Sequence, residues 1–277
     1  MAIDDILNDL KQDGGSPATA AHKQISDALQ LNQDRAMNLV KIQRILDTLE
    51  RNLECTTVPH SERISAWLGN YRRDLEGWSI SARQRFGSEL ADGLRPLGIT
   101  LQGQAPSLRA GLFSIELRAE QNKVEIWYGP KQERLTEAPM SAELVCKKIE
   151  QIRKGMGSDL EPPALIVKIQ EALRRVPPIE GQRGLPIGLV LPEVAFLIQS
   201  PTFYLNPVRE YYRSYSRADF SYDLFRCAED ASLRKRIQLV VATRKYTARK
   251  PEYLWVPSDL TGRGSTYSHI IAEETRP

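Results

Sequence analysis

The stretch that decides the fold class is residues 112–128, LFSIELRAEQNKVEIWY. In both halves of it apolar side chains alternate with polar ones, which is the two-residue repeat of a strand covered on one face. The intervening residues 120–123, Glu-Gln-Asn-Lys, have the composition of a turn, and Gly129-Pro130 ends the second half. The stretch therefore predicts a β-hairpin at residues 112–128.

The sequence before the hairpin has a helical repeat instead. Residues 18–55 contain neither Pro nor Gly, and their apolar positions recur at steps of three and four, so one long helix is predicted there. A second helix is expected to begin at Ser61, whose hydroxyl is suited to cap it. A third is expected to begin near Ser79 or Ser81 and to end at Arg95-Pro96. The first hundred residues are thus predicted to be a helical bundle.

The long predicted helix carries a stripe of apolar residues: Leu39, Ile42, Leu46, Leu49 and Leu53. Two interpretations are open. The stripe is either the core of its own bundle or a coiled-coil surface that binds a protein partner or a second copy of the chain. Both interpretations predict that these side chains are buried.

The remainder of the chain mixes helical and strand patterns. Two helices are predicted, at residues 141–154 and 163–175. The strand-like segments are residues 187–191, 194–198, 237–243, 253–256 and 267–272. Residues 237–243 are apolar on both faces at their centre, which predicts a strand buried within the sheet that also holds the hairpin.

Strands and helices do not alternate regularly along this remainder, so a doubly wound sheet is not favoured. We predict an α+β fold, with a helical N-terminal bundle followed by a mixed, largely antiparallel sheet with flanking helices. The predicted domains are a helical module at residues 1–105 and an α+β domain at residues 106–277.

Composition excludes several classes of protein. With 277 residues, 41% hydrophobic and 26% charged, the chain resembles an ordinary globular protein. The three cysteines are far apart and odd in number, unlike a disulfide framework or a zinc motif. No apolar run approaches the roughly 20 residues that cross a bilayer, and the first residues are acidic, unlike a secretory signal. We therefore expect a cytoplasmic protein with no membrane partner, no metal and no cofactor.

The most informative charge pattern lies near the C-terminal end. Between Ala231 and Pro251 there is no acidic residue, while seven residues are basic: Arg234, Lys235, Arg236, Arg244, Lys245, Arg249 and Lys250. Tyrosines surround this tract, so charges that meet phosphate lie beside rings that stack on bases. The tract predicts backbone contacts to nucleic acid, with Tyr246 as the stacking residue. The alternative is a solvated surface whose charges suppress edge-to-edge strand pairing.

Residues suited to catalysis are sparse. Glu116 and Glu125, on opposite strands of the predicted hairpin, are the nearest approach to converging carboxylates. Lys123 or Lys131 beside them would complete a site resembling that of a metal-dependent nuclease. However, Glu116 alternates with apolar residues on what should be the solvent face, which favours an ordinary exposed surface.

Two other candidates are weaker. Asp219 and Asp223 are four residues apart among aromatics, and a helix would place both on one face. His269 lies near serines, but the sequence offers no third group to orient it. The sequence thus predicts a non-catalytic, nucleic-acid-contacting subunit of a larger assembly. The alternatives are an adaptor that works only through protein contacts of the helical module, and a metal-dependent nuclease.

Overall fold

A computed structural model describes residues 3–180 and 184–272. The fold is α+β, with a helical N-terminal region followed by an antiparallel sheet and flanking helices, so the predicted fold class is confirmed. The chain divides into two compact units. The first holds residues up to Gly93 with Leu117–Val124 and Glu137–Lys147, and the second holds Leu94–Glu116, Glu125–Thr136 and the residues from Lys148 onward. The division predicted at residue 105 stays a prediction.

The first unit is built on helices that share one apolar core. They are α1 (Ile3–Asp13), α2 (Ser16–Leu31), α3 (Arg35–Cys55) and α4 (Ser61–Leu94). The prediction of one helix over residues 18–55 is wrong, because a 3-10 turn at Asn32–Asp34 separates α2 from α3. The break falls on three consecutive polar residues, and it lets the apolar faces of α2 and α3 pack against each other.

The prediction for the residues after α3 is also wrong, because it divided a single helix into two. Two helices were predicted between Ser61 and Arg95, yet one helix of 34 residues runs from Ser61 to Leu94. Ser79 does not cap a helix but is buried inside this one. Serine at an interior position weakens a helix without stopping it. The predicted end is confirmed, since the 3-10 turn Arg95–Leu97 follows directly.

The hairpin belongs to a five-stranded sheet. Its strands, in the order in which they lie, are β1 (Leu101–Gln104), β2 (Ser107–Ala110), β3 (Phe113–Arg118), β4 (Lys123–Tyr128) and β5 (Glu133–Pro139). The predicted hairpin is confirmed as β3 and β4, joined through Asn122 in the left-handed conformation. The sequence did not predict β1, β2 and β5, because these strands are short or because apolar and polar residues do not alternate regularly along them.

Further helices follow in the chain: α5 (Ala142–Gly155), α6 (Pro162–Arg175), α7 (Ile187–Leu197), α8 (Pro201–Leu205), α9 (Arg217–Glu229) and α10 (Ala231–Arg234). α5 and α6 confirm the predicted helices. The strands predicted at residues 187–191 and 194–198 are wrong, since both segments lie in α7 with Pro192 inside it. A short apolar run cannot be assigned to a strand or a buried helix by periodicity alone.

A second sheet contains β6 (Leu185–Pro186), β7 (Ile237–Val241), β8 (Leu254–Pro257) and β9 (Gly264–Ala272). β9 is central: β7 lies along one side of it, and β6 and β8 pair with it as well, all antiparallel. Two predictions are therefore wrong. β7 is an edge strand with Val241 exposed, and it lies in a different sheet from the hairpin.

The core of the second unit joins α6, α7 and α9 to the second sheet. Its buried side chains include Ile169, Val190, Phe220 and Ile270. Within the described ranges, no helix combines the length and the apolar character needed to cross a membrane.

Candidate nucleic-acid interface

All seven cations of the basic tract are exposed. The structure separates them into two sets. The α10 group consists of Arg234, Lys235 and Arg236, and the loop group consists of Arg244, Lys245, Arg249 and Lys250, in the connection between β7 and β8. The five residues of β7 lie between these groups, which corresponds to roughly 17 Å of extended chain. The tract is thus two basic clusters at opposite ends of an exposed edge strand.

The α10 group is positioned by a short capped helix. The Asp230 side chain accepts hydrogen bonds from the amide nitrogen and the hydroxyl of Ser232, at 2.8 and 2.6 Å, and these bonds lower the pKa of Asp230. Arg234 donates from Nε and Nη2 to the carbonyl of Ala228, at 3.0 and 2.8 Å, so it closes the end of α9. In the part of the chain that the structure describes, Lys235 and Arg236 form no salt bridge, although the charge of Arg236 contributes to the lowered pKa of Asp230. Both side chains are exposed to solvent.

The loop group is more restrained by carboxylates. Lys250 Nζ lies 3.4 Å from the Glu133 carboxylate, which Arg217 also contacts at 2.7 Å. Arg249 lies 4.0 Å from Glu252, near the limit of an ion pair. Arg244 has no carboxylate partner among the described residues. Lys250 therefore tethers the loop, whereas Arg244 is the freest cation in it.

Tyr246 is held against the second sheet. Its ring meets the ring of His269 edge-on, with centroids 4.9 Å apart, and Lys245 Nζ lies 5.5 Å from the Tyr246 centroid. His269 is buried on β9, 2.9 Å from the Ser268 hydroxyl, and burial lowers the pKa of its imidazole. Tyr246 is consequently half-buried, and its predicted role in base stacking stays a prediction.

An open groove of about 650 Å³ adjoins the α10 group. It lies between α9, β7 and β8, and its lining includes Phe225, Leu239, Val256, Arg234 and Lys235. Most of the lining is apolar, and the charged side chains in it are the two cations and the carboxylate of Glu229.

The predicted pair of aspartates is structural, with one member buried and the other partly exposed. Both lie on α9, and Asp223 is fully buried. Asp223 accepts hydrogen bonds from the amide of Ser158 and the hydroxyl of Tyr215, both at 2.8 Å, and pairs with Arg226 at 2.9 Å. Asp219 forms the capping box at the start of α9. These contacts anchor the loop before α6 to α9.

The carboxylates of the hairpin each face a cation. Glu116 is buried, which corrects its predicted place on a solvent face, and its Oε1 lies 2.8 Å from Lys131 Nζ. Glu125 lies 3.6 Å from Arg134. Lys123 pairs instead with Glu137, at 2.9 Å. Over residues 3–180 and 184–272, no group of three or more His, Cys, Asp or Glu side chains is arranged to hold a metal ion.

The apolar stripe of α3 lies in the core of the helical unit. Leu39, Ile42, Leu46 and Leu49 are buried there, and Leu53 packs against the same core while partly exposed. This packing favours the interpretation of the stripe as the core of its own bundle over that of a coiled-coil surface for another chain. A role of the stripe in partner binding stays a prediction.

The chain matches no protein-family model, and no curated protein or solved structure resembles it significantly.

Proposed function

We propose that the protein binds the phosphate backbone of nucleic acid along the exposed edge of β7, as a non-catalytic subunit of a larger assembly. The observation that carries the proposal is the exposure of seven cations in a segment that contains no acidic residue. Among the described residues, Lys235, Arg236, Arg244 and Lys245 have no carboxylate within salt-bridge distance. Exposed cations that no carboxylate neutralises at close range attract phosphate.

The spacing of the two basic groups supports a ligand that follows the strand. One strand of DNA carries a phosphate every 3.4 Å or so along the helix axis, so the five residues of β7, roughly 17 Å of extended chain, span about five nucleotides; Ala242 and Thr243 add length before Arg244. Gln238 and Val241 are exposed between them. The outer edge of β7 also offers backbone amides, which commonly donate to phosphate oxygens.

The order of helices and strands in the second unit supports this proposal by analogy with a known DNA-binding motif. If the short helices α8 and α10 and the strand β8 are set aside, the order α6, β6, α7, α9, β7 and β9, with β9 between β6 and β7, resembles that of a helix–turn–helix unit with a β-ribbon appended, a winged helix. Two further features differ. The connection from α7 to α9 is long and holds α8, and α9 has seven of its thirteen residues buried, with only Glu229 exposed, so α9 is not free to enter a groove. The proposed contact is therefore made by the ribbon and its loop, and it reads no base sequence.

The proposal includes a cytoplasmic location and no catalytic step. Cys55, Cys146 and Cys227 are all free thiols, which suits a reducing compartment. Glu116 and Glu125 each lie beside a cation, Lys131 at 2.8 Å and Arg134 at 3.6 Å, which offsets part of their charge.

Fluorescence anisotropy with labelled single-stranded and duplex oligonucleotides tests the proposal. If three phosphates are neutralised, raising salt from about 50 to about 200 mM weakens duplex binding about 40-fold and single-strand binding about 20-fold. The triple variant Lys235→Glu, Arg244→Glu, Lys245→Glu is expected to abolish binding.

The control variant carries the same change in net charge at three other exposed cations, Lys41→Glu, Arg44→Glu and Lys148→Glu. It is expected to bind nearly as well as the wild type. Absence of binding to either oligonucleotide at low salt by the folded protein would refute the proposal. So would equal loss of binding in the two triple variants, since that result reflects net charge and not this surface.

A further inference from the structure

A loop in the second unit presents apolar side chains outward from a rigid base. This clamped loop comprises residues 200–212 and includes α8. Gln199 closes its base: its Oε1 accepts from the amide of Arg213 at 2.8 Å, and its Nε2 donates to the carbonyl of Arg213 at 3.0 Å. Gln199 is itself buried, and the Ser200 hydroxyl accepts from the amide of Phe203 at 3.3 Å. The loop is therefore preorganised, as compact closed loops with functional roles often are.

The outward side chains form one aromatic patch. It consists of Phe196, Tyr204, Leu205, Val208, Tyr211 and Tyr212, and the most exposed member, Leu205, has 88% of its surface accessible. The partly buried Phe203 links three rings of the patch: the centroids of Phe196 and Tyr204 are 5.4 Å apart, and Phe203 lies 6.1 Å from Tyr204 and 5.6 Å from Tyr212. Leu205, Val208 and Tyr211 are exposed in the same loop. The Tyr204 hydroxyl donates to the carbonyl of Phe196 at 2.6 Å, which fixes that ring.

The size of the patch exceeds that of scattered surface apolar residues. The four large rings are a little under half exposed. With about 200 Å² for each aromatic side chain, they and the two aliphatic residues offer roughly 500 Å². The largest apolar patch on a typical monomer covers about 300–600 Å² and is often functional. With a polar rim, this patch approaches the roughly 800 Å² that each partner contributes to a standard interface.

The chemistry of the patch distinguishes between possible occupants. The patch is rich in Tyr and Phe, and the clamped loop contains arginine but no lysine. Protein interfaces are enriched in aromatic residues and arginine and depleted in lysine. Nucleic acid fits less well, because the loop has one arginine, Arg209, offset by Glu210. The rings of Phe196 and Tyr204 pack edge to face, with an interplanar angle of 77°, so they are not arranged to stack on bases.

The two charges of the loop indicate which protein occupies the patch. Arg209 and Glu210 are adjacent and exposed, and neither forms a salt bridge among the described residues. In a twofold dimer, a residue that contacts a second residue across the axis is contacted by it in return. Arg209 of one copy is then able to pair with Glu210 of the other, twice, around a shared apolar centre.

We infer that the aromatic patch is a self-association surface, on which a second copy of this chain docks with twofold symmetry through Leu205 and the surrounding rings. Arg209 and Glu210 pair across the axis. The inference concerns a surface separate from the basic tract and does not depend on nucleic-acid binding.

Sedimentation velocity of the full chain, from about 1 to about 100 µM, tests the inference, because interfaces of this area bind with micromolar or tighter affinity. We expect a concentration-dependent dimer. Leu205→Ser is expected to raise the dimer dissociation constant by 30-fold or so, because a leucine side chain that the dimer would bury is lost. The matched control is Leu260→Ser, at a leucine 51% exposed outside the patch, which is expected to leave the constant unchanged.

A charge exchange tests the twofold geometry itself. Arg209→Glu and Glu210→Arg are each expected to weaken the dimer, since each places like charges opposite one another at both contacts. An equimolar mixture of these two variants is expected to form heterodimers, because every contact across the axis is then attractive. This readout also guards against a folding defect, since a misfolded variant would not recover on mixing.

Several outcomes would overturn the inference. One is a monomer throughout the concentration range, and another is equal weakening by Leu205→Ser and Leu260→Ser. Failure of the mixed variants to pair would exclude the symmetric contact. Flotation of the wild type with phosphatidylcholine and phosphatidylserine vesicles, lost in Leu205→Ser, would assign the patch to a lipid surface instead.

Discussion

Replacement of the buried Asp223 by alanine is expected to be among the most damaging single changes in the second unit. The substitution deprives the amide of Ser158 and the hydroxyl of Tyr215 of their acceptor, and it leaves Arg226 without its carboxylate. Arg226 Nη1 keeps its hydrogen bond to the carbonyl of Ser158, at 3.0 Å, so the guanidinium loses only part of its hydrogen bonding.

The magnitude follows from these contacts. A buried donor left without an acceptor costs about 1–3 kcal/mol, and removal of one partner of a buried ion pair costs about 3–5 kcal/mol. The two costs are not added, because both arise from the loss of one carboxylate. We therefore expect Asp223→Ala to lower the free energy of unfolding by about 4 kcal/mol. Asp223→Asn keeps an acceptor for Tyr215 and is expected to cost about half as much.

Urea denaturation followed by circular dichroism measures these differences, and an unchanged dependence on denaturant confirms that the unfolding reaction is the same. Asp159→Ala serves as the control, because Asp159 pairs with Arg213 while 89% exposed. An exposed ion pair contributes less than about 1 kcal/mol. If Asp223→Ala costs no more than Asp159→Ala, the carboxylate does not hold this network together.

Three further predictions concern other parts of the chain. Leu46→Ala is expected to lower the free energy of unfolding by about 2–5 kcal/mol, since Leu46 is buried in the bundle; thermal unfolding checks it, and an unchanged melting temperature would contradict the burial. Gly129→Ala is expected to cost about 3 kcal/mol, because Gly129 has φ +58° and a Cβ there would lie 2.5 Å from the Trp255 ring; a stability equal to wild type by denaturant titration would show that the ring moves freely. Burial lowers the pKa of His269, so the folded state takes up its proton less readily and stability should fall as pH drops below about 6.5, then level off below the folded pKa. Subtracting the pH profile of His269→Gln isolates this slope, and identical profiles would exclude it.

Local patterns predicted the elements whose two faces differ. The hairpin β3–β4 and the helices α5 and α6 were predicted because one face of each is apolar and the other polar, and periodicity reports that difference directly. The same signal failed for α7, where apolar residues occupy almost every position. It failed again at Asn32–Asp34, where the break depends on the packing of α2 against α3.

The candidate site shows a similar division. The seven cations and the absence of acids among them are readable from the sequence. Their separation into two groups was not, because it depends on β7 being the edge of its sheet. Nor does the sequence show that Arg234 closes a helix, that Lys250 tethers a loop, or that Glu116 is buried.

The sequence by itself therefore determined the α+β class, the covered faces of its regular elements and the residues able to meet phosphate. Only the tertiary structure decided which strand is an edge, which charges are already paired and which apolar residues stay outside. The physical reason is range. Periodicity and composition act over a few residues, whereas strand order, ion pairing and exposure arise from contacts between segments far apart in the chain, such as Lys250 with Glu133 and Gln199 with Arg213.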